Sequence, residues 1–149
     1  MKKIYLILKI LFFYAVITSS VFAAKSNFFD KGKMLFDKKE FEKSKIFFER
    51  DIVFNPKSER SYLYLAKIFN QNENDKEEEM NLNNVLLLNP KNDEALYMLT
   101  LLKIKQSNYT EAKELIKKFT LVCENFCSKK KVMQQKFDKL IPENEKNNN

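Results

Sequence analysis

Cys123 and Cys127 are the residues of this chain whose type and spacing most directly suggest chemistry, either as a redox dithiol or as one disulfide. A catalytic dithiol normally stands as Cys-x-x-Cys on a βαβ background. Here the spacing is longer and the surroundings read as helical. Two cysteines are too few for a structural zinc site. In an oxidising compartment the pair reads as a single disulfide, with a non-helical turn over residues 124–126 bringing the two sulfurs within bonding reach. The chain has no His. That excludes Ser-His-Asp and Cys-His relays, imidazole metal ligation and His acid–base catalysis. A single Gly cannot build a phosphate-cradling loop. Glu77, Glu78 and Glu79 are consecutive, so on a helix they point in different directions and form no carboxylate pair. Asn108-Tyr109-Thr110 matches the glycosylation acceptor pattern, but helix capping by Asn108 explains it as well. The expectation is a non-enzyme with no cofactor, no metal and no small-molecule substrate.

The compartment follows from the N-terminus. Lys2 and Lys3 precede an apolar stretch from Ile10 to Ile17, then small polar residues and Val21-Phe22-Ala23-Ala24. This is the layout of a secretory signal peptide over 1–23, cut after Ala23 or after Ala24. The alternative is an uncleaved membrane anchor, although the apolar stretch falls short of the ~20 residues a bilayer span requires. A periplasmic or secreted location is expected. Removing Lys2, Lys3 and Lys9 lowers the formal charge from +7 to +4. The rest of the positive charge is interleaved with acids, so nucleic acid is not an expected partner. Any membrane contact is expected only through an uncleaved signal segment.

The elements that must position everything else come from an internal repeat. Pro56 and Pro90 are 34 residues apart, in the matching phrases Phe54-Asn55-Pro56-Lys57 and Leu88-Asn89-Pro90-Lys91. With each Pro at position 32, the frames 25–58, 59–92 and 93–126 abut without insertions. Low Gly and Pro content favours helices. Asn74 with Glu77, and Asn108 with Glu111, read as capping boxes opening second helices. Ser128 is placed to cap a last helix over 128–141, whose Val132, Met133, Phe137, Leu140 and Ile141 share a face before Pro142. The polar tail 142–149 reads as disordered.

In these frames the chain resembles the tetratricopeptide family. Phe28, Gly32, Leu35, Phe41, Ser44, Phe48 and Pro56 fit its pattern in the first frame. Tyr62, Leu65, Ala66, Phe69, Leu82, Val85 and Pro90 do so in the second, and Leu96, Leu99, Thr100, Tyr109, Ala112, Ile116 and Phe119 in the third. The resemblance implies an all-α solenoid of antiparallel helix pairs closed by a C-terminal capping helix. Small residues (Gly32, Ser44, Ala66, Thr100, Ala112) let paired helices approach closely. Lys31, Asp51, Glu78, Lys103 and Glu124 depart from the pattern, and Lys31 with Asp51 could pair.

The resemblance also implies a concave groove lined by first helices, and hence a scaffold that binds a partner protein or peptide. Position by position, the wall would present Phe29, Lys33, Phe36 and Asp37, then Arg60, Leu63, Lys67, Asn70 and Gln71. The third frame adds Glu94, Tyr97, Leu101, Ile104 and Lys105. Such a wall is basic in its first two repeats and apolar toward the third, suiting an acidic and apolar peptide. The family's clamp for heat-shock chaperone tails needs Lys and Asn where this chain has Phe29 and Lys33. The alternative function is a structural subunit of an envelope complex, docked through the capping helix or the convex face.

Overall fold

A computed structural model describes residues 27–140. The expected signal segment over 1–23, Ile141 and the tail at 142–149 lie outside the described residues. Seven α-helices follow in order: α1 (Phe28–Asp37), α2 (Phe41–Phe54), α3 (Glu59–Gln71), α4 (Asp75–Leu88), α5 (Asp93–Lys105), α6 (Tyr109–Val122) and α7 (Lys130–Leu140). A 3₁₀ turn over Cys127–Lys129 leads into α7. Among the described residues there is no strand, and no helix is long and apolar enough to cross a membrane. The helices pack as antiparallel pairs, α1 on α2, α3 on α4 and α5 on α6. Each second helix then packs on the first helix of the next pair, and α7 covers α5 and α6.

Small side chains set how closely the pairs approach. Gly32, Ser44, Ala66, Thr100 and Ala112 are all buried. A Cβ on Gly32 would lie 2.8 Å from a Phe48 ring carbon, so the helix crossing requires glycine here. Ser44 Oγ donates to the Gly32 carbonyl at 2.8 Å, which satisfies a hydroxyl that would otherwise be orphaned in the same contact. Around this crossing the aromatics form an N-terminal cluster in which Phe29, Phe48, Leu65 and Ile68 are buried and Phe36, Phe41 and Tyr64 pack against them. A second, larger cluster includes Leu82, Val85, Leu96, Leu99, Ile116 and Phe119, and extends to Met133 and Phe137 of α7.

The 34-residue period is carried by the backbone as well as the side chains. Lys39, Glu73 and Ser107, each 34 apart, take left-handed conformations with φ of 61°, 54° and 59°. They end the first helices through the same pair of hydrogen bonds. In the second repeat these are Glu73 N–H to the Asn70 carbonyl at 3.2 Å and Asn74 N–H to the Phe69 carbonyl at 2.9 Å. Glycine adopts this conformation without steric cost, and none of the three positions has one. Replacing Lys39, Glu73 and Ser107 by Gly should each stabilise the fold by about 0.5–1 kcal/mol. Thermal unfolding of the triple variant should therefore show a midpoint several degrees higher.

Asn74 and Asn108 cap α4 and α6 by accepting from the Glu77 and Glu111 N–H groups, each at 3.3 Å. Asn92 caps α5 in the same way, accepting from Ala95 N–H at 2.8 Å. Ser128 does not cap the last helix. It sits inside the 3₁₀ turn, with Phe126 at the N-cap. Of the face expected on that helix only Met133 and Phe137 are buried, while Val132 and Leu140 are exposed.

The residues that break the pattern are mostly buried polar groups with partners. Asp51 is 4% exposed and accepts from Ser58 Oγ and Ser61 Oγ, both at 2.5 Å, while Lys31 is in solvent. The Lys31–Asp51 pair does not form. Two serines at the start of α3 satisfy the carboxylate instead, tying α2 to α3. Lys103, buried on α5, pairs with Glu79 at 2.6 Å and Glu111 at 3.1 Å. Desolvation acts to lower the Lys103 ammonium, but hydrogen bonds to Glu79 and Glu111 outweigh it and raise it above 10.5. Glu59 accepts from the Asn89 and Asn92 amides across the second inter-repeat turn. Asp93, at the same register one repeat later, accepts backbone N–H bonds from Glu124, Asn125 and Phe126 at 2.8, 2.7 and 2.9 Å.

The candidate binding groove

The first helices α1, α3 and α5 leave a groove of about 590 Å³ along their shared side. Phe36, Asp37, Lys67, Asn70, Gln71, Glu94, Tyr97 and Leu101 line it, and all eight were expected there from the repeat register. Lys39, Phe41, Glu78 and Met98 also line it. Lys39 enters because its left-handed turn residue stands at the groove's end, and Phe41 and Glu78 come from the second helices. A register rule confined to first helices has no signal for them.

Six groove candidates, Phe29, Lys33, Arg60, Leu63, Ile104 and Lys105, do not line it. Leu63 and Ile104 are 8% and 4% exposed and belong to the larger core cluster. Phe29 is 9% exposed and packs edge-on to Tyr64 and against Phe48, with ring centroids 5.6 Å away in both cases. Arg60 lays its guanidinium 3.7 Å above the Phe29 ring. That stacking ties the start of α3 to the start of α1, and neither residue lines the groove.

The basic wall expected from Lys33, Arg60 and Lys67 is largely neutralised inside the fold. Lys33 pairs with Asp37 one helical turn away at 2.6 Å. Lys67 pairs with Glu94 at 2.8 Å, bridging α3 and α5, and its ammonium also sits 4.8 Å from the Tyr64 ring centre. Lys105, expected on the wall's far side, pairs with Asp75 of α4. The acids that balance these cations lie on the same or neighbouring helices, at positions a count of groove cations alone does not weigh.

The middle of the groove is apolar with a polar rim. Phe36, Phe41, Tyr97, Met98 and Leu101 are all half-buried. Phe36 meets Phe41 and Tyr64 edge-on at 5.2 and 5.0 Å, and Tyr97 leans on Phe119 and Phe126. These contacts fix the rings while leaving part of each accessible, a preorganised apolar floor. On the rim the Asn70 amide donates to both Glu78 carboxyl oxygens at 3.0 and 3.1 Å. Burial of Glu78 pushes its carboxyl above the ordinary 4.5, against the opposing pull of the Asn70 hydrogen bond. Its partners are an amide and a distant cation, so the charge is only partly compensated.

Cys123 and Cys127 are joined by a disulfide with a Cα–Cα distance of 5.2 Å. It links the end of α6 to the 3₁₀ turn that introduces α7, beside the backbone amides held by Asp93. Cys127 is exposed and Cys123 half-buried.

No family model matches the chain, and no curated protein does. Among solved structures it is similar to the Arabidopsis OM64 TPR domain, with a TM-score of 0.69 and 20% identity over 76% of this chain and 93% of that one. It is also similar to the Sgt2 TPR domain from Aspergillus fumigatus, with a TM-score of 0.63 and 14% identity over 76% of this chain and 78% of that one. The fold is therefore the tetratricopeptide-repeat fold, an all-α stack of helix pairs with a further C-terminal helix.

Proposed function

We propose that the chain is an exported protein-interaction scaffold that holds an extended or helical segment of a partner protein in the groove between α1, α3 and α5. The supporting observation is the half-buried floor of Phe36, Phe41, Tyr97, Met98 and Leu101, framed by the Lys67–Glu94 pair and the Asn70 amide. Apolar anchors fixed by their own packing, inside a polar rim, are the arrangement that concentrates binding energy at a few central residues. The self-paired lysines favour a partner that presents apolar side chains over one recognised by acidity alone. Export through residues 1–23 would place the scaffold in the periplasm or outside the cell, where a Cys123–Cys127 bridge is stable.

A photo-crosslinking residue at Gln71, on the exposed rim, would identify the partner in the native envelope. With that partner purified, Leu101→Glu should weaken binding roughly ten- to a hundredfold, because a charge would be desolvated on the floor. Reversing Lys33 and Lys67 to Glu should change affinity by less than tenfold. Helicity and unfolding midpoint are to be measured alongside. If Leu101→Glu stays folded and binds the partner as tightly as the parent, the groove is not the binding site.

A further inference from the structure

Val53, Leu87 and Leu121 stand at one register, 34 residues apart, in the last turns of α2, α4 and α6. They are 76%, 80% and 84% exposed. Phe54 and Leu88 beside the first two are exposed as well. None of these apolar residues lines the groove. The second helices pack chiefly on first helices, so the three exposed tips recur once per repeat along the solvent-facing surface of the stack. Arg50, Lys57, Lys91, Lys117 and Lys118 lie within four residues of a tip; all are exposed, and none is in an ion pair among the described residues. The acids within the same reach are exposed Glu49 and Glu124, plus Asp51, which is turned inward onto two serines.

We propose that this outer ridge docks on an anionic lipid bilayer, with Val53, Leu87 and Leu121 entering the headgroup boundary and the surrounding cations resting on the lipid phosphates. Spaced apolar tips among cations are complementary to a fluid, negatively charged apolar slab, which needs no matched relief. A protein partner would need shape complementarity that isolated tips do not provide. The path of the chain agrees. Residues 1–26, with their apolar stretch from Ile10 to Ile17, lead into the fold at Phe28, whose ring stacks on Phe54 of the ridge at 5.4 Å. Any segment leading from a membrane thus enters the fold at one end of the ridge. With the ridge on lipid, the groove, to which none of the ridge residues contributes, stays open to a partner.

The chain contains no Trp, so Leu87→Trp installs a single reporter on the ridge and Gln71→Trp a control on the groove rim. Both full-length variants are mixed with phosphatidylglycerol/phosphatidylcholine vesicles carrying brominated acyl chains. The Leu87→Trp emission should shift to the blue and lose at least half its intensity, while the Gln71→Trp emission changes by no more than about a tenth. Adding Lys57→Glu, Lys91→Glu and Lys118→Glu to the Leu87→Trp chain should cut the quenching severalfold, as should pure phosphatidylcholine or high salt. Attachment through residues 1–23 alone would bring both variants to the vesicles with neither reporter quenched, and that overturns the proposal. So does a blue shift of Leu87→Trp that grows with protein concentration without lipid, which would assign the ridge to a second copy of the chain.

Discussion

Phe48→Ala is expected to lower the unfolding free energy by about 3–5 kcal/mol, measured by urea titration followed by far-ultraviolet circular dichroism. Phe48 has no exposed surface and is the centre of the N-terminal cluster, stacked on Tyr64 at 5.0 Å and packed against Phe29. Its ring also lies over Gly32, where no side chain can follow to fill a void. The loss should be local in character. Repeat stacks unfold as coupled neighbouring units, so α1 and α2 should melt before the larger cluster around Phe119. The reciprocal change, Gly32→Ala, raises helix propensity by about 1 kcal/mol, yet it forces a Cβ into the Phe48 ring. The overpacking cost of roughly 1–3 kcal/mol should prevail, and Phe48→Leu in the same chain should restore part of it. If Gly32→Ala proves stabilising, the close crossing of α1 and α2 is not as described.

What the sequence disclosed, and what it hid, follows from how each feature is encoded. Pro56 and Pro90 with their shared neighbours are covalent punctuation, and the apolar and small residues between them follow helical spacing, so the paired-helix architecture is legible without coordinates. The left-handed turns at Lys39, Glu73 and Ser107 keep the same period but carry no glycine, so residue type gives them no signal. The groove was legible where first-helix register decides it, as at Phe36, Lys67 and Leu101. It was hidden where a neighbouring helix decides it. Leu63 and Ile104 sit at groove register yet belong to the core cluster, and the charge of Lys33 and Lys67 is cancelled by Asp37 and Glu94, the first on its own helix and the second on the first helix of the next repeat. Asp51 looked like a flaw in the pattern because the hydroxyls that complete it, Ser58 at the end of its own repeat and Ser61 in the next, sit at the start of the following first helix.

Asp93→Ala should cost about 2–4 kcal/mol and loosen α7 first, because one carboxyl oxygen, Oδ2, holds three successive backbone amides at the end of α6. Residues 123–125 occupy the turn where earlier repeats have Asn-Pro-Lys, and Glu124 stands in place of the proline. With no ring to fix φ, the turn depends on the carboxylate for its shape. Burial acts to raise the Asp93 carboxyl, but the N–H bonds from Phe126, Glu124, Asn125 and Glu94 together outweigh it and hold the group below its ordinary 3.8. The sign of the pH effect follows. A folded-state pKa below the unfolded one means that the unfolded chain binds the proton more readily. The stabilisation is then complete above about pH 4 and is lost as pH falls through the depressed folded value. The stability gap between the parent chain and Asp93→Asn should be widest at neutral pH and close progressively below pH 4. Hydrogen exchange should locate the change, with amides of α7 and residues 124–126 losing protection while those of α3 and α4 keep theirs. The disulfide gives an independent control, since it spans the same turn covalently. Reducing Cys123–Cys127 in the Asp93→Ala chain should release α7 further than either change alone, because each constrains the same few residues. A gap between the parent and Asp93→Asn that stays constant from pH 7 to pH 3 would show that the carboxylate charge contributes nothing to holding the last helix.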